Sequence, residues 1–182
     1  MQDEIILVNE LDEMVGTMEK IEAHRKALLH RAFSIFIFNK KDEMLLQKRA
    51  LSKYHSGGLW TNACCSHPRP GEKTGVAATR RLLEEMGFTT ELKEIFHFIY
   101  KHSFENGLTE YEFDHVFVGY FEGPVSADKN EASDYCFMKM DDIQSSLISH
   151  PQKFSAWFHI AFPAITKWLR GSHTTENIKS DS

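Results

Sequence analysis

The chain has 182 residues, 42% hydrophobic and 26% charged, with a formal net charge of −5 at pH 7. That mix suits one globular domain with a substantial core, and it excludes the basic field that holds a nucleic-acid backbone. The three cysteines, Cys64, Cys65 and Cys136, are odd in number and two are adjacent, which excludes a secreted disulfide scaffold.

The first twenty residues are rich in Glu and Asp with a single Lys, unlike a signal or transit peptide. No apolar run reaches the length of a membrane span. With free thiols as well, the expectation is a cytoplasmic protein with no membrane partner.

In chain order, Glu4 to Val8 is a short apolar run, Asn9 to Glu13 is turn-like, and Met14 to Met18 can pair back as a hairpin. Lys20 to Leu28 fits a short helix. His30 to Asn39 alternates but is apolar on both sides, which predicts a strand buried on both faces. Lys40 to Asp42 forms a turn and Glu43 to Arg49 a returning strand. Leu51 to Gly71 has no period and predicts a long loop, whose Trp60, Cys64, Cys65 and His67 point to function rather than disorder.

Thr74 to Met86 carries an apolar stripe, with Thr74 as the expected cap and Gly87 as the stop. Glu91 to Tyr100 and Glu110 to Phe121 predict strands joined near Asn106-Gly107. Tyr135 to Met140 predicts another, and Asp141 is expected to cap a helix reaching Ser149. Ser155 can start a last helix that ends at Gly171 and bends at Pro163. Residues 1–171 are then one domain, an α/β sandwich around a mixed sheet, and 172–182 a polar tail.

Several groups along this chain carry chemistry. Glu110, Glu112 and Asp114 fall on one face of a strand, with Tyr111 and Phe113 opposite. Three aligned acids repel unless something positive joins them or water surrounds them. His24, His30 and His67 sit at element edges, and imidazole with carboxylate suits a divalent transition ion. In Cys64-Cys65 the two thiols must face opposite ways, so at most one reaches a site, and an inert buried cysteine is the plain alternative. Glu84 and Glu85 oppose the dipole at a helix end. Arg81 and Glu85 form an i,i+4 pair that alone accounts for them without function. Lys20, Arg49 and Lys53 matter only if the fold gathers them.

Taken together these pieces resemble the type I isopentenyl diphosphate isomerases of the Nudix superfamily. Leu29 to Ser34, Glu110-Tyr111-Glu112 and Phe154 to Phe158 resemble segments of that family in order and spacing. The stretch Trp60-Thr61-Asn62-Ala63-Cys64-Cys65-Ser66-His67-Pro68 is closely similar to its catalytic loop. The helix resembles a broken Nudix box. Glu72, Arg80, Glu84, Glu85 and Gly87 fit the pattern, while Ser66 replaces the first Gly and Arg81 replaces a Glu. One departure is that His24 and His30 stand six apart, where some bacterial members have seven.

The resemblance implies a Nudix-like α/β/α sandwich and isomerisation of isopentenyl to dimethylallyl diphosphate by protonation and deprotonation. It implies one divalent metal (Mn, Mg or Zn) on His24, His30, His67, Glu110 and Glu112. A Mg ion on Glu85 would bind the diphosphate, which Lys20, Arg49, Lys53, Ser66 and Arg81 would grip. Cys65 and Glu112, helped by Tyr100, would be the catalytic pair, with Glu112 expected to donate and Cys65 to accept the proton. Trp157 would cover the hydrocarbon. The partner is a small diphosphate, and the protein is a monomer or homodimer. The competing expectation is a Nudix hydrolase of a nucleoside diphosphate derivative. A binding module with a structural metal is a third.

Overall fold

The computed structural model describes residues 3–179, and side chains through residue 171. The chain opens with an antiparallel hairpin of β1 (Glu4–Val8) and β2 (Met14–Glu19). Helix α1 (Lys20–Arg25) follows, capped by the Glu19 carboxylate, which accepts from the backbone N–H of Ile21 and Glu22. It stops three residues before the expected Leu28, because Ala27 turns into the left-handed region at φ 51°.

The centre is β3 (His30–Phe38), which runs parallel to β8 (Thr109–Tyr120) from His30↔Glu112 to Phe38↔Tyr120. On its other edge β3 meets β1, β4 (Glu43–Arg49) and β6 (Cys64–Ser66). β4 pairs with β5 (Trp60–Thr61) and β9 (Ala132–Lys139), and β7 (Lys93–Ser103) pairs with β8. The sheet is therefore mixed, as expected. The segment from Leu51 to Gly71 differs from the expected loop. It contributes β5 and β6, two strands too short to show a period.

The predicted double burial of β3 holds. Phe33, Ile35 and Ile37 pack with Ala77, Ala78, Leu82 and Met86 of α2 (Thr74–Met86). Phe36 and Phe38 pack with Val116, Val118 and the Phe158, Phe162 and Ile165 ridge of α4 (Ala156–Lys179), with Ile143 of α3 (Met140–Ser149) beside them. Each such fully buried side chain stabilises the fold by about 1.5–3 kcal/mol relative to exposure. The three layers, helix, sheet and helices, match the expected α/β/α sandwich.

Details at helix ends differ from expectation. Lys73 and Lys139, not Thr74 and Asp141, occupy the cap positions of α2 and α3, with no side-chain cap bond. Gly87 does end α2, at φ 76°, and a Cβ there would lie 2.6 Å from the Ser126 carbonyl oxygen. α4 continues through Pro163 and past Gly171 to Lys179, so the tail expected from residue 172 is helical where described; residues 180–182 lie outside the described residues. Among the described residues no helix is long and apolar enough to cross a membrane.

Candidate active site

Strand parity builds the site. On β8, Glu110, Glu112 and Asp114 share a face with Val116 and Val118, which pack beneath α4. The partner of Glu112 is His30 on β3 and Tyr100 on β7, and the partner of Ser34 is Cys65 on β6. One face of the sheet is therefore apolar under α4 and becomes acidic, imidazole-bearing and thiol-bearing beyond it. All three acids are buried, which rules out a solvated outer strand.

His24, His30, His67 and Glu112 present ligand atoms that all lie within 4.8 Å of one another, and His24, His55 and Glu110 form a second such group. The shorter His24–His30 spacing does not separate them: their ring centroids are 4.7 Å apart. His24 Nδ1 donates to the Lys20 carbonyl at 2.7 Å and His30 Nδ1 to that of Leu28 at 2.8 Å. These bonds fix the tautomer and leave each Nε2 lone pair aimed inward. Both Nε2 atoms are buried without a hydrogen-bond partner. His67 Nε2 lies 3.0 Å from Glu112 Oε1. Burial pushes His24 and His67 down to about 4 and His55 down to about 3, so all three are neutral ligand-type imidazoles. Orphaned nitrogen lone pairs beside buried carboxylates fit a divalent cation.

The acids themselves are unequal. Burial, then the Glu112 charge, pushes Glu110 up to about 8. Burial alone would raise Glu112 too, but the His30 and His67 imidazoles, 3.5 and 3.0 Å from its Oε1, overcome it and hold it well below the usual range. The Tyr100 hydroxyl lies 2.9 Å from Glu110 Oε2 and 2.8 Å from Glu112 Oε2. One hydroxyl has one hydrogen, so a proton on Glu110 completes the second bond.

The adjacent cysteines split as parity requires. Cys64 lies in the core under α2, and Cys65 faces the cavity. Cys65 donates to Asn62 Oδ1 at 3.1 Å, and burial, then the Asp114 charge, pushes its thiol well up. Ser34, 3.5 Å from that sulfur, donates to Asp114 Oδ2 at 2.7 Å.

The predicted basic residues are gathered. Lys20, Arg49, Lys53, Ser66, Arg81, Glu85 and Trp157 line the same cavity as Cys65, Tyr100 and Glu112. An adjoining recess carries Lys20, Lys53, Arg69, Arg80 and Arg81, a cationic mouth. Most of these cations have partners already. Arg81 donates to Glu85 at 2.6 Å and to Glu131 at 3.2 Å, Lys53 contacts Glu131, and Lys20 lies 3.2 Å from Asp3. Arg49 sits 5.2 Å from the Trp157 ring centroid. The motif residues Arg80 and Glu72 form a two-toothed pair at 2.8 and 2.9 Å.

Sequence reasoning missed His55, Glu131 and Asn62. His55 and Glu131 carry no motif spacing; Asn62 stood inside the quoted loop but was given no role.

The sequence matches the NUDIX domain family over residues 28–158. It is 47% identical to isopentenyl-diphosphate Delta-isomerase 2 of Aromatoleum aromaticum, over 86% of this chain and 83% of that protein. It is 46% identical to the isopentenyl-diphosphate Delta-isomerase of Pectobacterium atrosepticum, over 89% of this chain and 90% of that one. In fold it resembles the MutT protein of Methanosarcina mazei, with a TM-score of 0.64 at 20% identity over 76% of this chain and 94% of that one.

Proposed function

The chain belongs to the NUDIX family and, within it, to the isopentenyl-diphosphate Delta-isomerases, and from that premise we propose how its cavity works. The protein is an isomerase that interconverts isopentenyl and dimethylallyl diphosphate in isoprenoid synthesis. The observation that carries the assignment of groups is that a thiol and a Tyr100-linked carboxyl pair line one cavity behind a cationic mouth.

An isolated alkene has no carbonyl to acidify its neighbours, so proton removal cannot come first. A proton must add at the terminal carbon, giving a tertiary cation, and a proton must then leave C2. Cys65 enters as a neutral thiol and Glu112 as a carboxylate. In our reading the thiol gives the proton to the terminal carbon and Glu112 takes the one from C2. This is opposite in direction to the sequence expectation, and the reverse reaction exchanges the roles. Once product leaves, Glu112 gives its proton to water and the Cys65 thiolate regains one from water, which resets the pair, while the Tyr100 hydroxyl, joined to both acids, holds Glu112 in place. Trp157 covers the cation with its π face, an attraction of about 2 kcal/mol when desolvated.

His24, His30, His67, Glu110 and Glu112 would hold a divalent ion, and His55 faces Glu110 from outside at 3.0 Å. When bound, that ion supplies fixed positive charge that tunes the acidity of the glutamate pair. Glu85 and the unpartnered Gln47 Oε1 offer oxygens to a Mg ion arriving with the diphosphate. Lys20, Arg49, Lys53, Arg81 and Ser66 grip the diphosphate itself, whose binding positions the alkene. Arg81 stands where a hydrolytic box has an acid, which speaks against diphosphate cleavage. Every group named comes from one chain, so a monomer suffices, and three free thiols fit a cytoplasmic location.

The test is incubation with isopentenyl diphosphate and Mg in deuterated water. Deuterium in dimethylallyl diphosphate supports the isomerase; released phosphate without it supports the hydrolase. For direction, Glu112→Gln should exchange deuterium into the terminal carbon of recovered substrate, and Cys65→Ala should not. The opposite pattern restores the opposite assignment.

A further inference from the structure

One buried side chain touches two of the groups just assigned and has no part in the scheme above. Asn62 is fully buried. Its Nδ2 donates to the carbonyls of Ile35 at 3.0 Å and Cys64 at 2.9 Å. Those bonds use both amide hydrogens and fix the orientation, since a flipped amide would set its oxygen against two carbonyl oxygens. Oδ1 is thereby aimed at the side chains of Cys65 and Trp157, which line the cavity. It accepts from Cys65 Sγ at 3.1 Å, from Trp157 Nε1 at 3.1 Å and from Thr61 Oγ1 at 2.8 Å. Thr61 Oγ1 in turn accepts from Ser155 Oγ at 2.9 Å, just ahead of α4.

We propose that Asn62 is a positioning residue for the isomerisation, its carboxamide oxygen setting the Cys65 thiol and the Trp157 indole in one fixed relation. The inference rests on the isomerase reading. The thiol rides on β6 and the indole on α4, and no covalent constraint registers them. A flat carbon skeleton needs the sulfur over one carbon and the π face over its neighbour. A misplacement of about 1 Å at such a site costs about a hundredfold in rate. The shared oxygen registers both groups at once, because shifting either donor breaks its bond to an acceptor that cannot follow.

The test uses metal-loaded enzyme, with steady-state kinetics and the iodoacetamide alkylation rate of Cys65 read by mass spectrometry. Asn62→Ala and Asn62→Ser should lower kcat by about thirtyfold or more, leave KM within about threefold, and keep the bound-metal content. The Cys65 alkylation rate should change by about threefold or more in both. Trp157→Phe removes only the indole N–H from the network, and should shift Cys65 alkylation in wild type but not in Asn62→Ala. If Asn62→Ala does not fold, Trp157→Phe and Thr61→Val decide: each must change Cys65 alkylation by about twofold or more. The proposal is overturned by kcat within about threefold of wild type, by a loss confined to KM, or by Cys65 alkylation indifferent to all these changes. Absence of label in the wild-type product would instead sink the isomerase reading, while the alkylation coupling, read without turnover, still judges Asn62.

Discussion

Stripping the metal should give the protein a stability optimum near pH 6.5, with losses on both sides. Glu110 is pushed up to about 8 in the folded, metal-free protein. The folded state then keeps a proton that the unfolded chain releases at about 4.5. Stability from this group is full below about pH 4.5 and is lost as pH rises to about 8, at about 1.4 kcal/mol per pH unit. Between pH 6.5 and 8 that is a loss of about 2 kcal/mol, and the raised Asp114 adds in the same direction. His24 and His67, held at about 4, and His55, at about 3, act on the acid side. Above about pH 6.5 they are neutral in both states; below it the unfolded chain takes up three protons that the folded one refuses. Against these three, Glu110 and Asp114 each keep a proton that the unfolded chain releases, so stability should fall by about 1 kcal/mol per unit between pH 6.5 and 4.5. Added divalent ion favours ionised Glu110 and should reverse the alkaline loss. The assay is the urea midpoint of metal-stripped protein at pH 5.5, 6.5 and 8, with and without excess Mn, and with Glu110→Gln as the control. Metal-free protein as stable at pH 8 as at 6.5, or an unchanged alkaline loss in Glu110→Gln, would refute the reasoning.

Cys65→Ala should abolish turnover in the deuterium assay, whereas Cys64→Ala, in the core under α2, should keep activity within about threefold and cost about 1 kcal/mol in a urea melt. Glu131→Gln releases Lys53 and Arg81 from their internal anion and should lower the inhibition constant of inorganic pyrophosphate at low salt; an unchanged or higher constant refutes competition by Glu131. Arg81→Gln leaves Glu85 buried without its cation and should cost about 3 kcal/mol of unfolding free energy by calorimetry. Gly87→Ala should cost about 2 kcal/mol by the same measurement, from strained φ and a clash with the Ser126 carbonyl.

Much of this arrangement was legible in the sequence because its periods are strong. The two-sided apolar run of β3, the alternation of the three acids on β8 and the stripe of α2 each fixed a face, and faces decide what meets. The split of Cys64 and Cys65 followed from the same parity. Other parts were silent for physical reasons. β5 and β6 are two and three residues long, too short to alternate visibly, and they owe their pairing to β4 and β3. His55 and Glu131 lie on connecting segments, where side-chain direction follows from tertiary placement and not from any repeat. The end of α4 was misjudged because Gly171 reads as a stop, yet the helix continues through it.

The pairing of His30 with Glu112 has a consequence for how the chain acquires its activity. These two residues are neighbours in space but are separated by a large part of the polypeptide. A nascent or truncated chain that ends before β8 carries the three histidines but neither carboxylate of the five-ligand set. Closing so long a loop is a late and entropically expensive event in folding. Tight ion uptake is therefore a stamp of completed assembly, available for counting finished molecules during synthesis or refolding.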